Sequence, residues 1–196
     1  MQIRKSTKIR RQQIVNIIRR IISSQGIEDV TISEIAIHMG TTKGAIYRHF
    51  KSKRDILKLL IENIEETLME VIDKSVTDKD PVQDLKNILL NQLTLAKNRR
   101  KTSLVVILGA MQFSDPIIRK KIAQLIEKYL RRIEEILSKA IESGKVKSEI
   151  NPQTSAIAFF GLIQSSITML SYKKFDFVPE ELHSQLWNIY HLGIGL

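Results

Sequence analysis

Thr31-Ile-Ser-Glu-Ile-Ala-Ile-His-Met-Gly-Thr-Thr-Lys-Gly-Ala-Ile-Tyr-Arg-His-Phe50 holds two helix starts and one helix stop. Thr31 and Glu34 have the spacing of a capping box, in which the threonine hydroxyl accepts from the Glu34 N–H and Glu34 reaches back to the Thr31 N–H. The helix that follows ends at Met39-Gly40, because glycine closes a helix in the left-handed region at little steric cost. Thr42 then caps a second short helix, predicted over 43–49. Ala36 is small enough to let the two helices cross closely, while Ile32, Ile35, Ile46 and Phe50 face inward. Two short helices about a tight turn make a helix-turn-helix, whose second helix enters the major groove of DNA. Its outward face offers Thr42, Lys43, Gly44, Ala45, Tyr47, Arg48 and His49, and Thr31 at the start of the first helix is counted with them. Thr42 sits where a hydroxyl and free backbone N–H groups suit a phosphate. Gly44 and Ala45 allow close approach to base edges, and Lys43 and Arg48 are long enough for bases or phosphates.

Charge supports a polyanionic partner for this stretch. Of 31 Lys and Arg, thirteen fall in residues 1–60 against four acids, a net of +9, although the whole chain carries only +10. A basic segment therefore precedes an electrostatically neutral body. Arg4, Lys5, Lys8, Arg10 and Arg11 form a basic arm that is read equally as a tail or as a groove-tracking element.

Helical signals run outward on both sides. Ile14, Ile17, Ile18, Ile21 and Ile22 give a helical stripe from about Thr7 to Gln25, and Gly26 follows as its stop. Ser52 opens a long helix striped by Ile56, Leu60, Ile64, Leu68 and Val71. Asp80-Pro81, Asp115-Pro116 and Asn151-Pro152 each set a capping side chain before a proline at the first helical position, and Pro179-Glu-Glu looks like a fourth start. The expected helices are about 81–98, 103–112, 116–143, 152–172 and 179–193. No segment alternates apolar and polar residues long enough for a sheet. The fold class is therefore all-α, with about nine helices: a three-helix DNA-binding head over 1–50 and a helical effector-binding and dimerisation domain over 69–196.

Composition removes other classes. A hydrophobic share of 43% with 27% charged residues is a globular balance, not that of a disordered chain. The longest apolar run, Ala156 to Leu170, is broken by Gln164, Ser165 and Ser166, and the basic N-terminus lacks the apolar stretch of a signal peptide. Neither a membrane nor a secreted setting is expected, and the chain is placed in the cytoplasm. With no cysteine, disulfides and thiolate chemistry are excluded. There is no His-Glu-x-x-His, no Gly-x-x-x-x-Gly-Lys-Ser/Thr and no Gly-x-Gly-x-x-Gly. Gly40-Thr-Thr-Lys-Gly44 has the wrong spacing for a phosphate loop, and His183 and His191 are two helical turns apart, too far to share a metal readily. The chain is read as no enzyme, with no metal and no cofactor.

The quoted motif resembles the TetR family of transcriptional regulators. The likeness rests on Thr31-Ile-Ser-Glu-Ile-Ala, on Met39-Gly40-Thr-Thr-Lys-Gly-Ala-Ile-Tyr-Arg-His-Phe-Lys-Ser-Lys53, and on Ile56-Leu57, within about residues 8–68. Its most specific part is Tyr47-x-His49-Phe50-x-x-Lys53. The resemblance implies an all-α homodimer whose first three helices read double-stranded DNA. It also implies a fourth helix linking the head to a body that often holds an inducer pocket. By position it makes Tyr47, His49 and Lys53 phosphate contacts and Lys43, Gly44 and Ala45 base-proximal. Thr41 departs from the pattern, where an aliphatic residue is commoner.

In the body, segment 152–172 is apolar around most of its circumference, so something must cover it on all sides. A symmetric dimer is expected through Ala156, Phe159, Gly161, Ile163, Ile167, Leu182, Leu186, Ile189 and Tyr190. The alternative is that both helices are central within one subunit. Candidate walls for an effector are Leu89, Leu93, Leu108, Met111, Phe113, Tyr129, Phe160 and Gln164, each of which could equally be ordinary core. Few buried charges are evident, so a hydrophobic small molecule is the expected effector. The leading expectation is a repressor on a near-palindromic operator, released by that effector. The alternatives are a DNA-bound organising or cell-division factor that recruits a protein partner, and a non-specific nucleic-acid binder.

Overall fold

A computed structural model describes residues 7–27, 29–98, 115–170 and 178–194. Eight helices lie among them: α1 (Thr7–Ser24), α2 (Ile32–His38), α3 (Lys43–Tyr47), α4 (Lys53–Ser75), α5 (Pro81–Asn98), α6 (Pro116–Glu142), α7 (Pro152–Leu170) and α8 (Pro179–Gly193). The fold is all-α among the described residues, and the helix expected at 103–112 lies outside them. No helix among them is long and apolar enough to cross a membrane.

The starts before proline are capped as the sequence implies. Asp80 Oδ1 accepts from the N–H groups of Val82 at 3.1 Å and Gln83 at 3.2 Å. Asp115 Oδ1 accepts from Ile117 at 2.9 Å, and Asn151 Oδ1 from Thr154 at 2.8 Å. Each cap satisfies donors that a helix N-terminus leaves without an intrahelical acceptor. At the other end of α6, Gly144 takes φ +69°, with Gly144 N–H donating to the Ile141 carbonyl and Lys145 N–H to the Ala140 carbonyl. That is a Schellman stop, and only glycine adopts it without strain.

The described chain forms two compact units, whose boundaries fall inside α4 after Glu65 and inside α6 after Ile122. The first unit takes in α1 to α3, the N-terminal half of α4 and the first residues of α6. Ile14, Ile18, Ile21, Ile35, Ile46, Ile56, Leu60 and Ile64 are buried in it. Ion pairs brace its surface: Arg11 and Lys121 both reach Glu62, at 3.6 and 2.9 Å, and Arg54 Nε lies 2.6 Å from Asp115 Oδ2. The Arg54 contact holds the Asp115 carboxyl below its ordinary range.

The second unit comprises the rest of α4, α5, most of α6, α7 and α8. α5 packs against both α7 and α8. Leu85, Ile88, Leu89 and Leu93 of α5, Leu125, Tyr129, Ile133 and Leu137 of α6, and Phe159 and Ile163 of α7 are fully buried. On α4 the buried position at the end of the stripe is Ile72, and Val71 is only half-buried.

The last helix covers only some of its apolar residues within the chain. His183, Trp187, Tyr190 and Ile194 are buried, whereas Leu182 and Leu186 are half-buried and Ile189 is 65% exposed. Trp187 has the most apolar surface to bury, and its ring stacks near Tyr190, with centroids 6.1 Å apart. His183 follows it inward, because its Nε2 can donate to the Lys86 carbonyl at 3.0 Å.

Candidate nucleic-acid interface and effector site

Local hydrogen bonding builds the reading element. Thr31 Oγ1 accepts from the Glu34 N–H at 3.1 Å, and Thr42 Oγ1 from the Ala45 N–H at 3.2 Å. The return half of the Thr31 box is absent among the described residues. Glu34 is drawn instead toward His38, with its carboxylate 3.9 Å from Nε2. Between the helices Gly40 takes φ +60°, the Gly40 N–H donates to the Ile37 carbonyl, and the Thr41 N–H reaches back to the Ala36 carbonyl at 3.0 Å. This Schellman turn fixes the angle at which α3 leaves α2.

α3 ends at Tyr47, two residues short of the sequence expectation. The chain continues to wind through Arg48 to Phe50, since the His49 and Phe50 N–H groups both donate to the Ile46 carbonyl, at 2.9 and 3.0 Å. Ile46 is fully buried and Phe50 is 7% exposed, so these two hold the element down. Ile35 and Ala36 are buried beneath it, and Ile32 is half-buried.

The opposite face is open. Thr42, Lys43, Gly44, Tyr47, Arg48 and His49 are exposed, Tyr47 by 54%, and Ala45, Thr31 and Lys53 are half-buried. The Thr42 cap uses an acceptor lone pair, which leaves its O–H to donate outward to a phosphate oxygen. An added Cβ at Gly44 would meet nothing closer than Thr42 Oγ1 at 3.8 Å, so the fold itself imposes no need for glycine there. Ser52 caps α4 through a reciprocal pair: the Asp55 N–H donates to Ser52 Oγ at 3.3 Å and the Lys51 N–H to Asp55 Oδ2 at 3.0 Å. That cap sets Lys53 in the first turn of α4, immediately after the reading element.

In the second unit, Leu89, Leu93 and Tyr129 are fully buried and Phe160 and Gln164 are half-buried. Leu108, Met111 and Phe113 lie outside the described residues. The Tyr129 and Phe160 rings are tilted against each other with centroids 5.4 Å apart. Tyr129 OH donates to Gln92 Oε1 at 3.2 Å, and burial pushes its phenol pKa up, so it stays neutral. Gln92, 2% exposed, belongs with this group, and the sequence reading passed over it. A signal was present: α5 buries Leu85, Ile88, Leu89, Leu93 and Ala96, and position 92 falls on that same helical face with an amide.

The dimer expectation divides. Ala156, Phe159, Ile163, Ile167 and Tyr190 are buried within their own chain, whereas Gly161 and Ile189 are exposed and Leu182 and Leu186 half-buried. The buried five take the inner face of α7 and α8, where Tyr190 OH donates to the Ser155 carbonyl at 3.0 Å and its ring meets Phe159 edge-on at 5.2 Å. The outer face is left to Ile157, Gly161, Ser165 and Met169, four residues apart along α7, with Ile189 and Leu192 of α8.

Residues 14–60 match the family model for bacterial regulatory proteins of the tetR family, and residues 53–193 match that for the C-terminal region of YsiA-like proteins. The chain belongs to the TetR family. This TetR-family member is a DNA-binding transcriptional regulator. It is 31% identical over 160 residues to the HTH-type transcriptional regulator AcrR of Shigella flexneri, covering 78% of this chain and 74% of that one. It is 28% identical over 183 residues to the nucleoid occlusion factor SlmA of Vibrio vulnificus, covering 91% and 92%. The structure of the regulator FadR from Bacillus subtilis in complex with stearoyl-CoA shares its fold, at a TM-score of 0.81 and 23% identity over 93% of this chain and 98% of that one.

Proposed function

We propose that this regulator is a repressor that binds a near-palindromic operator as a homodimer and is released by a small, largely apolar effector. The observation that carries the reading is the α3 element, held by Ile46 and Phe50 with Lys43, Gly44, Tyr47, Arg48 and His49 turned outward. Lys43, Gly44 and Ala45 approach base edges, while Thr31, Thr42, Tyr47, Arg48, His49 and Lys53 hold the phosphate backbone. Two such elements in a dimer, about 34–36 Å apart, meet successive major grooves. The exposed apolar side of α7 and α8 is a suitable surface for that pairing.

The effector lies in the α5–α7 body, against Leu89, Leu93, Tyr129, Phe160 and Gln164. Its binding favours a conformer of α4 with a different spacing of the reading heads, which lowers operator affinity by population shift. Because the fold is shared with a FadR bound to stearoyl-CoA, fatty acyl-CoA esters are the first effector class to test. The regulator acts on chromosomal DNA in the cytoplasm and catalyses no reaction. Selection of bound fragments from the source genome, followed by acyl-CoA titration of the selected operators, tests the reading. Recovery of palindromes near promoters that are released by micromolar acyl-CoA is expected, and operators that no acyl-CoA weakens would remove the inducible repressor.

A second reading is favoured by the similarity to SlmA across 91% of the chain. In it the same head tethers the protein at many chromosomal positions, and the body recruits a protein partner instead of a metabolite. Fragments scattered away from promoters, together with insensitivity to acyl-CoA, would select it.

A further inference from the structure

Buried polar groups in the body are otherwise well satisfied. Asp84 accepts from the N–H and hydroxyl of Thr77, Ser75 donates to the Val71 carbonyl and accepts from Asn91, and Ser166 donates to the Leu162 carbonyl. His183 and Tyr190 reach the carbonyls of Lys86 and Ser155. Gln92 Nε2 and Gln164 Oε1 are the exceptions, each buried with no hydrogen-bond partner among the described residues. Native interiors rarely leave such atoms unmatched, and each instance calls for a physical reason.

The two amides belong to one neighbourhood. Gln92 accepts from Tyr129 OH, and the Tyr129 ring packs on Phe160. Phe160 lies one helical turn before Gln164 on α7, so α5, α6 and α7 each contribute to the cluster. Hydrogen bonding fixes the sense of both amides. Tyr129 OH needs an acceptor, so the Gln92 oxygen faces it and the NH2 is left over. Thr168 spends its hydroxyl proton on the Gln164 carbonyl at 2.8 Å, so it accepts from Gln164 Nε2 at 3.4 Å and leaves Oε1 over. One donor and one acceptor remain on helices that also bury Leu89, Leu93 and Ile163, and the side chains bonded to or stacked in the cluster, Tyr129, Phe160 and Thr168, carry no charge.

We propose that Gln92 and Gln164 are the specificity-determining residues of the effector site, and that they recognise a neutral group that both accepts and donates, a hydroxyl being the smallest, carried on an apolar skeleton. The inference rests on the reading that the body holds an effector. A charged group is disfavoured at this point, because nothing in the cluster would offset its desolvation. A purely hydrocarbon segment would leave both amides unmatched, so the site discriminates by what the wrong ligand fails to satisfy.

The test uses the full-length protein and two isomers of equal size, 1-octanol and heptyl methyl ether, of which only the alcohol can donate. Titration calorimetry should show the alcohol binding about tenfold more tightly to the wild type, a difference of one well-made buried hydrogen bond. Gln164→Leu should reduce that preference to less than about twofold. Gln92→Leu combined with Tyr129→Phe removes the left-over donor together with the hydroxyl that Gln92 serves. It should weaken both probes, which share the acceptor oxygen, and raise the melting temperature of the unliganded protein. A merely structural role for Gln92 would lower that temperature. Equal binding of the isomers to the wild type, or an alcohol preference that survives in Gln164→Leu, overturns the proposal and leaves the effector site standing. Binding of neither probe overturns the proposal as well, and the acyl-CoA titration of selected operators then decides separately whether the effector reading falls with it. Gln164→Leu changes a half-buried position, so it keeps the question open to decision where the double variant does not fold.

Discussion

Gly44→Ala separates the needs of the fold from the needs of the ligand at one position. Gly44 has no positive φ, and a Cβ there meets only Thr42 Oγ1 at an ordinary 3.8 Å, so the Thr42 cap survives the change. Alanine restricts the unfolded chain more than glycine does. In a helix it should therefore stabilise the protein by about 0.5–1 kcal/mol, nearer the lower value because position 44 lies in the first turn of α3. For a chain of this length that is a rise of about 1–4 °C in melting temperature. On DNA the sign reverses. The methyl group projects from the face expected to lie closest to base edges, and an overpacked contact costs about 1–3 kcal/mol, or roughly 5- to 150-fold in operator affinity.

Thermal melting and fluorescence anisotropy, on a selected operator and on a scrambled duplex at one salt concentration, read both halves. Binding to the scrambled duplex should change little, because it depends on phosphates. A variant that is more stable and still binds operator as tightly as the wild type would refute base-edge proximity for Gly44. A variant that melts lower would show that the glycine serves the fold after all.

Other perturbations address separate parts of the molecule. Lys53→Ala should weaken operator and scrambled DNA alike and reduce the slope of log affinity against log salt by about 1, whereas Lys43→Ala should change which sequence is selected from a randomised pool. Unaltered selection would remove the base-reading role of Lys43. Burial pushes the His183 pKa below its ordinary value, so the unfolded chain takes up the proton first as pH falls. The His183 contribution to stability is then complete above about pH 6.5 and declines as the pH falls toward the folded-state value, and His183→Gln should flatten chemical-denaturation midpoints across pH 5–6.5. Ile189→Glu, at a position 65% exposed in the single chain, should leave helix content intact and shift sedimentation from dimer to monomer. A variant that remains dimeric would place the interface elsewhere.

Much of this was legible from local chemistry. The caps at Thr31, Thr42, Asp80, Asp115 and Asn151 and the stops at Gly40 and Gly144 depend on residues within five positions, so the sequence states them directly. The face of α3 was legible for the same reason, since Ile46 and Phe50 are four apart and fix which side is down. The sides of α7 and α8 were not. Both helices carry apolar residues on more than one side, and periodicity cannot tell which apolar side belongs to the chain's own core. Trp187 settles it for α8 by taking the inner position with His183 and Tyr190, which turns Ile189 and Leu192 outward. Gln92 was missed because a glutamine between leucines reads as a polar interruption until the helix is seen to be buried at that register.

Gly44 and the Gln92–Gln164 pair break local rules in opposite ways. A glycine in the first turn of an exposed helix forgoes stability for want of a side chain, and a buried amide forgoes it for want of a partner, about 1–3 kcal/mol for each unmatched group. Neither loss is recovered by contacts seen within the described residues: open space surrounds a Cβ at 44 beyond the Thr42 contact, no acceptor meets Gln92 Nε2 and no donor meets Gln164 Oε1. Total stabilities of about 5–15 kcal/mol leave little room for such losses unless something outside the chain requires them. The requirement differs in kind between the two places. At Gly44 the ligand supplies bulk and the protein must withdraw, whereas at Gln92 and Gln164 the protein presents unmatched valences and the ligand must supply the group. Substitutions that favour the fold should therefore weaken DNA binding in the head and effector discrimination in the body, each without affecting the other's first binding step.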